Sequence, residues 1–187
     1  MPNLSIIVPF YNEDAGIEHF FATMLPILEA TQKSYELICI NDGSTDHTLL
    51  KLIEKKTRIP VIKIIDFSRN FGKEAALSAG IDLAKGDAII PIDADLQDPP
   101  ELIHQLIAEW EKGHEIVLAQ RIGREQEGML KRLTAYLFYK LQGKLATVPM
   151  PENVGDFQLL DKKVIAVLKK MPERQRYMKG LFSWAGF

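Results

Sequence analysis

A single cysteine, Cys39, is all the thiol chemistry available in 187 residues. It excludes a disulfide framework within the chain and fits a reducing compartment. With only four scattered histidines beside it, no zinc centre is expected. No Gly-x-Gly-x-x-Gly follows the first apolar run, which disfavours a nicotinamide cofactor. Gly72-Lys73 is followed by Glu74 rather than Ser or Thr, so the P-loop of nucleoside triphosphatases is missing. A Gly-x-Ser-x-Gly nucleophile elbow is missing too. No stretch reaches the roughly 18 apolar residues of a membrane-spanning helix. The opening run, MPNLSIIVPFYNE, has neither the basic start nor the long apolar centre of a secretory signal. Internal repeats and low-complexity segments are not found.

What is present is an ordinary globular composition, 47% apolar and 26% charged, at a length that fits one domain with a real core. The net charge of −2 conceals an asymmetry. Residues 1–119 carry 10 Lys and Arg against 19 Asp and Glu, whereas residues 120–187 carry 13 against 6. Such a split points to two parts facing different partners, with the basic part opposite an anionic surface or ligand. A lysine-rich solvated surface is the alternative.

The first 121 residues alternate between apolar runs and amphipathic stretches. Strands are expected at Leu4–Pro9, Tyr35–Ile40, Val61–Phe67, Asp87–Ile92 and Glu115–Ala119. Helices are expected at Ile17–Ala30, Asp46–Lys56, Lys73–Ala84 and Pro99–Lys112, with Asp46 as an N-cap and prolines at the entry of the last. Continuous apolar strands alternating with amphipathic helices predict an α/β fold with a mainly parallel central sheet, flanked by helices on both faces. Beyond Arg121 the rhythm changes. One long helix is expected over 127–147, with a stripe of Leu130, Leu133, Leu137, Leu141 and Leu145 bordered by Lys131, Arg132, Lys140 and Lys144. A short strand at Phe157–Leu160 and a helix at Lys162–Met171 follow.

Four polar groups fall at the carboxyl ends of the first four strands, where parallel sheets bind ligands. They are Pro9-Phe10-Tyr11-Asn12-Glu13, Asn41-Asp42-Gly43-Ser44-Thr45-Asp46, Ser68-Arg69-Asn70-Phe71-Gly72-Lys73 and Asp93-Ala94-Asp95. Singly each is an ordinary turn or cap. Together they supply what a nucleoside diphosphate needs: carboxylates for base and ribose donors, and Arg69 and Lys73 for phosphate oxygens. In the run AIIPIDADLQDPP, from Ala88 to Pro100, three aspartates crowd the tip of a buried strand. Like charges so close require a compensating cation. A hard divalent ion on Asp95, with or without Asp93, would serve and would bridge the diphosphate.

The segments SIIVPFYNE, ICINDGSTDHT, DFSRNFGKEAALSAGIDLAKGD, IPIDADLQDPPE and VGDFQLLD resemble, in order and over nearly the whole chain, the inverting family 2 glycosyltransferases. DADLQDPPE together with SRNFGKE is similar to the polyprenyl-phosphate branch, which includes dolichyl-phosphate mannose synthases and undecaprenyl-phosphate glucosyltransferases. The resemblance implies a GT-A fold and transfer of a sugar from a nucleotide-diphosphate sugar, a uridine nucleotide being favoured, to a polyprenyl phosphate. It implies that Pro9, Tyr11, Glu13 and Asp42 surround the base and ribose, that Arg69 and Lys73 lie near the donor, and that Asp93 and Asp95 form the DxD pair. Both are then metal residues for Mg2+ or Mn2+, with Asp95 favoured over Asp93 as the direct ligand. Asp156 matches the position of a catalytic base; because a lipid monophosphate is already ionised near neutral pH, the carboxylate is read as orienting sugar or acceptor. Arg174, Arg176 and Lys179 match the site for the acceptor phosphate, with Tyr177 where relatives carry Trp or Phe.

The resemblance also implies one catalytic domain over 1–187, with a nucleotide-sugar part at 1–121 and an acceptor-side, membrane-proximal part at 122–187. The basic helix is expected on an anionic membrane, on its cytoplasmic side, near the acceptor's headgroup. An ordinary core-facing helix is the alternative there. The membrane-spanning helices of many relatives are absent, and Phe182, Trp184 and Phe187 near the chain's end could pair with another subunit. No nucleic-acid partner is expected. Two other functions stay open: transfer to a polysaccharide or soluble acceptor, and a non-catalytic nucleotide-binding or membrane-docking module.

Overall fold

The computed structural model describes residues 2–120 and 154–171, with side chains from Phe157 onward in the second segment. The elements are β1 (Leu4–Phe10), α1 (Ile17–Ala30), β2 (Tyr35–Asn41), α2 (Thr48–Arg58), β3 (Ile62–Asp66), α3 (Lys73–Leu83), β4 (Ala88–Pro91), a 3-10 turn (Pro100–Leu102), α4 (Ile103–Glu111), β5 (Ile116–Gln120), β6 (Val154–Asp161) and α5 (Lys162–Lys170). The strands form one sheet in the order β3-β2-β1-β4-β6-β5. β1 pairs in parallel with β2 and β4, and β2 with β3. β6 pairs antiparallel with both β4 and β5. β5 therefore points the same way as β1–β4, and β6 is the reversed strand among the described ones.

The period-2 pattern of the strands sorts their side chains onto two faces. Leu4, Ile6, Val8 and Phe10 of β1, with Leu37 and Cys39 of β2, pack against Phe20, Phe21 and Met24 of α1, Leu52 of α2, and Ile103 and Leu106 of α4. Ile7, Ile38, Ile40 and Ile89 turn the other way, onto Leu77 and Ile81 of α3 and Val164, Ile165 and Leu168 of α5. Each fully buried Phe or Leu contributes about 2–3 kcal/mol relative to exposure. Phe20 makes edge-to-face contacts with Phe10 and Phe21, at 5.4 and 5.3 Å between ring centres. Burial pushes the Cys39 thiol far above its usual range, so it is an inert core residue.

Two helix starts differ from expectation for local reasons. Asp46 accepts the Thr48 amide at 2.9 Å from outside α2, so the helix begins at Thr48 rather than Asp46. After Pro99-Pro100 the chain first makes the 3-10 turn, and α4 begins at Ile103. The larger difference is β6, expected as a short strand at Phe157–Leu160 with no place assigned to it, and found as Val154–Asp161 between β4 and β5. The parts before and after residue 121 thus share one sheet.

At the amino edge of the sheet lies a polar knot. Glu36, nearly fully buried, accepts from the Ser5 hydroxyl at 2.5 Å and the Lys85 amide at 2.7 Å, and pairs with the Lys63 ammonium. The Ser5 hydroxyl oxygen in turn accepts the Gly86 amide at 2.8 Å. Burial opposes ionisation of Glu36, but Lys63, Ser5 and the Lys85 amide outweigh it and hold the carboxyl below its ordinary range.

Candidate active site

The opposite, carboxyl edge carries the loops. Three main-chain bonds extend the ladders past the strand ends: Asp42 N–H to the Phe10 carbonyl (2.8 Å), Phe67 N–H to Asn41 (2.9 Å) and Ile92 N–H to Ile7 (3.0 Å). The β1–α1 and β2–α2 loops are then stitched together. Asn12, at a left-handed φ of 54°, accepts the Thr45 amide at 2.9 Å and donates its own amide to the Ser44 hydroxyl at 3.0 Å. Glu13 N–H reaches the Thr48 hydroxyl at 2.9 Å, and Asp14 N–H reaches Asp46 at 3.2 Å.

The β2–α2 loop is locked to the β3–α3 loop in the same manner. Asp42 is buried, and its two oxygens accept the Phe71 and Gly72 amides at 2.7 and 2.9 Å. Gly43, at φ +65°, lies so close to Arg69 that a Cβ would stand 2.2 Å from the Arg69 carbonyl carbon. Asn41 donates to Asp66 at 2.7 Å across the same pair of strands.

Between these loops opens a cleft of about 340 Å³, lined by Pro9, Phe10, Tyr11, Glu13, Asp42, Asn70, Gly72, Lys73, Asp93, Ala94 and Asp95. Tyr11 presents its ring at the rim, about half exposed. The Lys73 ammonium contacts both oxygens of Asp93, at 2.7 and 2.8 Å. The compensating charge at Asp93 thus comes from the chain itself. Asp95 is exposed and accepts the Gln97 amide at 3.2 Å. Burial, then the nearby charges of Asp95 and Asp46, raise Glu13 above its ordinary value.

Seven of the expected residues, Pro9, Tyr11, Glu13, Asp42, Lys73, Asp93 and Asp95, therefore share one cleft. Arg69 does not line it. Its guanidinium stacks on Phe71 with 4.0 Å to the ring centre and donates to the Asn70 carbonyl at 3.2 Å. The start of β6 brings the backbone of Asp156 to the same sheet edge, and Val154 pairs there with Gln120 of β5. The side chain of Asp156, the residues Arg174, Arg176 and Lys179, the expected helix over 127–147 with Lys131, Arg132, Lys140 and Lys144, and the terminal Phe182, Trp184 and Phe187 lie outside the described residues. Sequence reasoning placed Asn70 and Gly72 in the third strand-end group without giving them a role, and missed the structural task of Asp42. The signal was the Asp-Gly pair at 42–43, a turn that needs positive φ.

Among the described residues no three His, Cys, Asp or Glu side chains converge as a metal cage. The donor set nonetheless fits Mg2+ or Mn2+ met by a diphosphate. Such ions bind through one or two carboxylates, keep several waters and take their other ligands from phosphate. Asp95 with Glu13 nearby gives that kind of open, negative corner. No helix among the described residues is long and apolar enough to cross a membrane.

Comparison with known proteins gives three findings. A family model described as "Glycosyl transferase family 2" matches residues 5–168. "Uncharacterized glycosyltransferase sll0501" of Synechocystis is 53% identical over 184 residues, covering 98% of this chain and 58% of the relative. The bactoprenol glucosyl transferase of Shigella phage SfV is 46% identical over 183 residues, covering 98% and 60%. The chain thus spans about three fifths of the length of these relatives. Among solved structures, glucosyl-3-phosphoglycerate synthase from Mycobacterium tuberculosis in complex with uridine diphosphate matches with a TM-score of 0.62 at 23% identity, over 89% of this chain and 59% of that one. Mannosyltransferase PcManGT from Pyrobaculum calidifontis, in complex with GDP-Man and Mn2+, matches with a TM-score of 0.59 at 18% identity, over 89% and 46%. At these identities the likeness is one of fold, and the fold is the GT-A-like one expected: a mostly parallel sheet flanked by helices.

Proposed function

This chain belongs to glycosyl transferase family 2, and from that membership we propose that it is the catalytic part of an inverting transferase. Its donor is a nucleoside diphosphate sugar, taken first as a uridine nucleotide, and its acceptor a polyprenyl phosphate. The observation that carries the proposal is the single cleft in which Tyr11, Glu13, Asp42, Lys73, Asp93 and Asp95 converge from four strand ends. The acceptor class is supported by the 46% identity to bactoprenol glucosyl transferases.

In this reading the Tyr11 ring and Pro9 flank the base, and Glu13 accepts from base or ribose. Asp42, whose oxygens already hold the Phe71 and Gly72 amides, acts by fixing the β3–α3 loop. Arg69 offers positive charge from outside the cleft lining. Mg2+ or Mn2+, held by Asp95 beside Glu13, would neutralise the departing diphosphate. An acceptor phosphate oxygen donates its electron pair to the anomeric carbon. The bond from that carbon to the diphosphate breaks, its electron pair leaves with the diphosphate, and the configuration inverts. The attacking oxygen is already anionic near neutral pH, so no proton need be removed first. Asp156, at the same edge, orients sugar or acceptor. Arg174, Arg176 and Lys179 hold the acceptor phosphate, and the basic segment 127–147 rests on the anionic, cytoplasmic face of a membrane.

Calorimetry with uridine diphosphate and Mn2+ tests the donor site: Asp95→Asn should abolish the metal-dependent part of binding while the melting temperature holds. Unchanged affinity would refute the metal assignment. Incubation with labelled uridine diphosphate glucose and undecaprenyl phosphate in detergent, followed by organic extraction, tests the acceptor. Label moving to a sugar or polysaccharide hydroxyl but never into lipid would refute the polyprenyl reading.

A further inference from the structure

Asp93 and Asp95 stand two residues apart, yet their electrostatic surroundings differ. Both Asp93 oxygens are held by the Lys73 ammonium. Asp95 takes a backbone amide, and no lysine or arginine among the described residues pairs with it or with Glu13. The negative potential of the cleft is therefore cancelled on one side and left standing on the other. An ammonium that spans both oxygens of a carboxylate blocks a metal ion from it.

Resting on the reading of this cleft as a metal–diphosphate site, we infer that Lys73 is a positioning residue that keeps a divalent cation from settling before the nucleotide. It acts through Asp93. The ion pair removes one of two carboxylates that a bare ion would use, so Asp95 holds the ion weakly until diphosphate oxygens complete its coordination. Metal and nucleotide then raise each other's affinity by the same factor, as linkage requires. Lys73 is well placed for this. It opens α3 directly after Gly72, whose amide Asp42 fixes at 2.9 Å, so the loop that shapes the cleft also aims the ammonium.

Mn2+ binding to the whole chain, read from loss of the free-ion electron paramagnetic resonance signal with and without uridine diphosphate, tests this directly. Lys73→Met should raise nucleotide-free Mn2+ affinity by about tenfold. Lys73→Arg should keep the wild-type value, and adding Asp93→Asn to Lys73→Met should remove the gain. Unchanged nucleotide-free affinity in Lys73→Met, while wild type binds Mn2+ normally with uridine diphosphate, overturns the inference and leaves the donor-site reading standing. Failure of wild type to bind Mn2+ even with the nucleotide overturns both. Should Lys73→Met not fold, Lys73→Gln takes its place with the same expected gain in nucleotide-free Mn2+ affinity, and no gain overturns the inference.

Discussion

Gly43 is where a single atom has the largest consequence. Its φ of +65° disfavours any side chain, and a Cβ there would overlap the Arg69 backbone at 2.2 Å. Gly72 has a φ of +95° but open space where a Cβ would go. The pair separates two effects. Gly72→Ala bears the conformational penalty alone, about 1–3 kcal/mol for a positive φ with extended ψ. Gly43→Ala adds overpacking against main chain and should lose about 3 kcal/mol or more. Denaturant melts of the two variants check the order; equal losses would show that the two loops separate freely. Asp156→Asn belongs to the same scale. As an orienting carboxylate, its loss should lower turnover about 100-fold and leave donor affinity, measured by calorimetry, unchanged. A fall in donor affinity would move Asp156 to the nucleotide side.

At the scale of elements, the knot around Glu36 ties β1, β2 and β3 to the turn before β4. Its carboxyl is held below the ordinary glutamate range against the opposition of burial. A group whose pKa is depressed in the folded state stabilises that state above its unfolded value, and the contribution fades as pH falls through the folded one. Stability should therefore be full above the ordinary value of about 4.3 and decline below it. Glu36→Gln should flatten that decline in pH-dependent melts, and an unaltered slope would exclude Glu36 as its source. Elements also show what the sequence could disclose. β1 to β5 and the helices between them were legible because continuous apolar runs alternate with 3.6-residue periodicity. The place of β6 was not, because Phe157–Leu160 is a short apolar run whose partners are fixed by packing over long sequence distances. Pro9, Tyr11, Glu13, Asp42, Lys73, Asp93 and Asp95 were legible as a cluster, since parallel strands put their ends on one edge. That Lys73 spends its charge on Asp93, and Asp42 its oxygens on a neighbouring loop, depends on three-dimensional distances that no spacing encodes.

Across the whole molecule, the sheet carries the Glu36 knot at one edge and the cleft at the other. A ligand that binds the folded state alone stabilises it, by about 2.7 kcal/mol at a hundredfold excess over its dissociation constant. For a chain of this size that is roughly 5–10 °C in melting temperature. Uridine diphosphate with Mn2+ should produce such a shift, and neither alone should match it; additive small shifts in a thermal scan would contradict the shared cleft. The charge asymmetry leads to the remaining expectation. Changing Lys131, Arg132, Lys140 and Lys144 to Gln should reduce sedimentation with anionic liposomes, with no effect on nucleotide affinity. Unchanged sedimentation would leave the basic segment without a membrane role.

The pairing of Gln120 with Val154 has a consequence for how such a protein diversifies. The chain departs from the cleft edge at one residue and comes back to it at an adjacent one. A stretch of different length or chemistry could therefore be spliced between those two positions without disturbing the order of the described strands. If the proposed division of labour holds, a graft from a transferase with another acceptor, joined at Gln120 and Val154, should change the acceptor and keep the nucleotide.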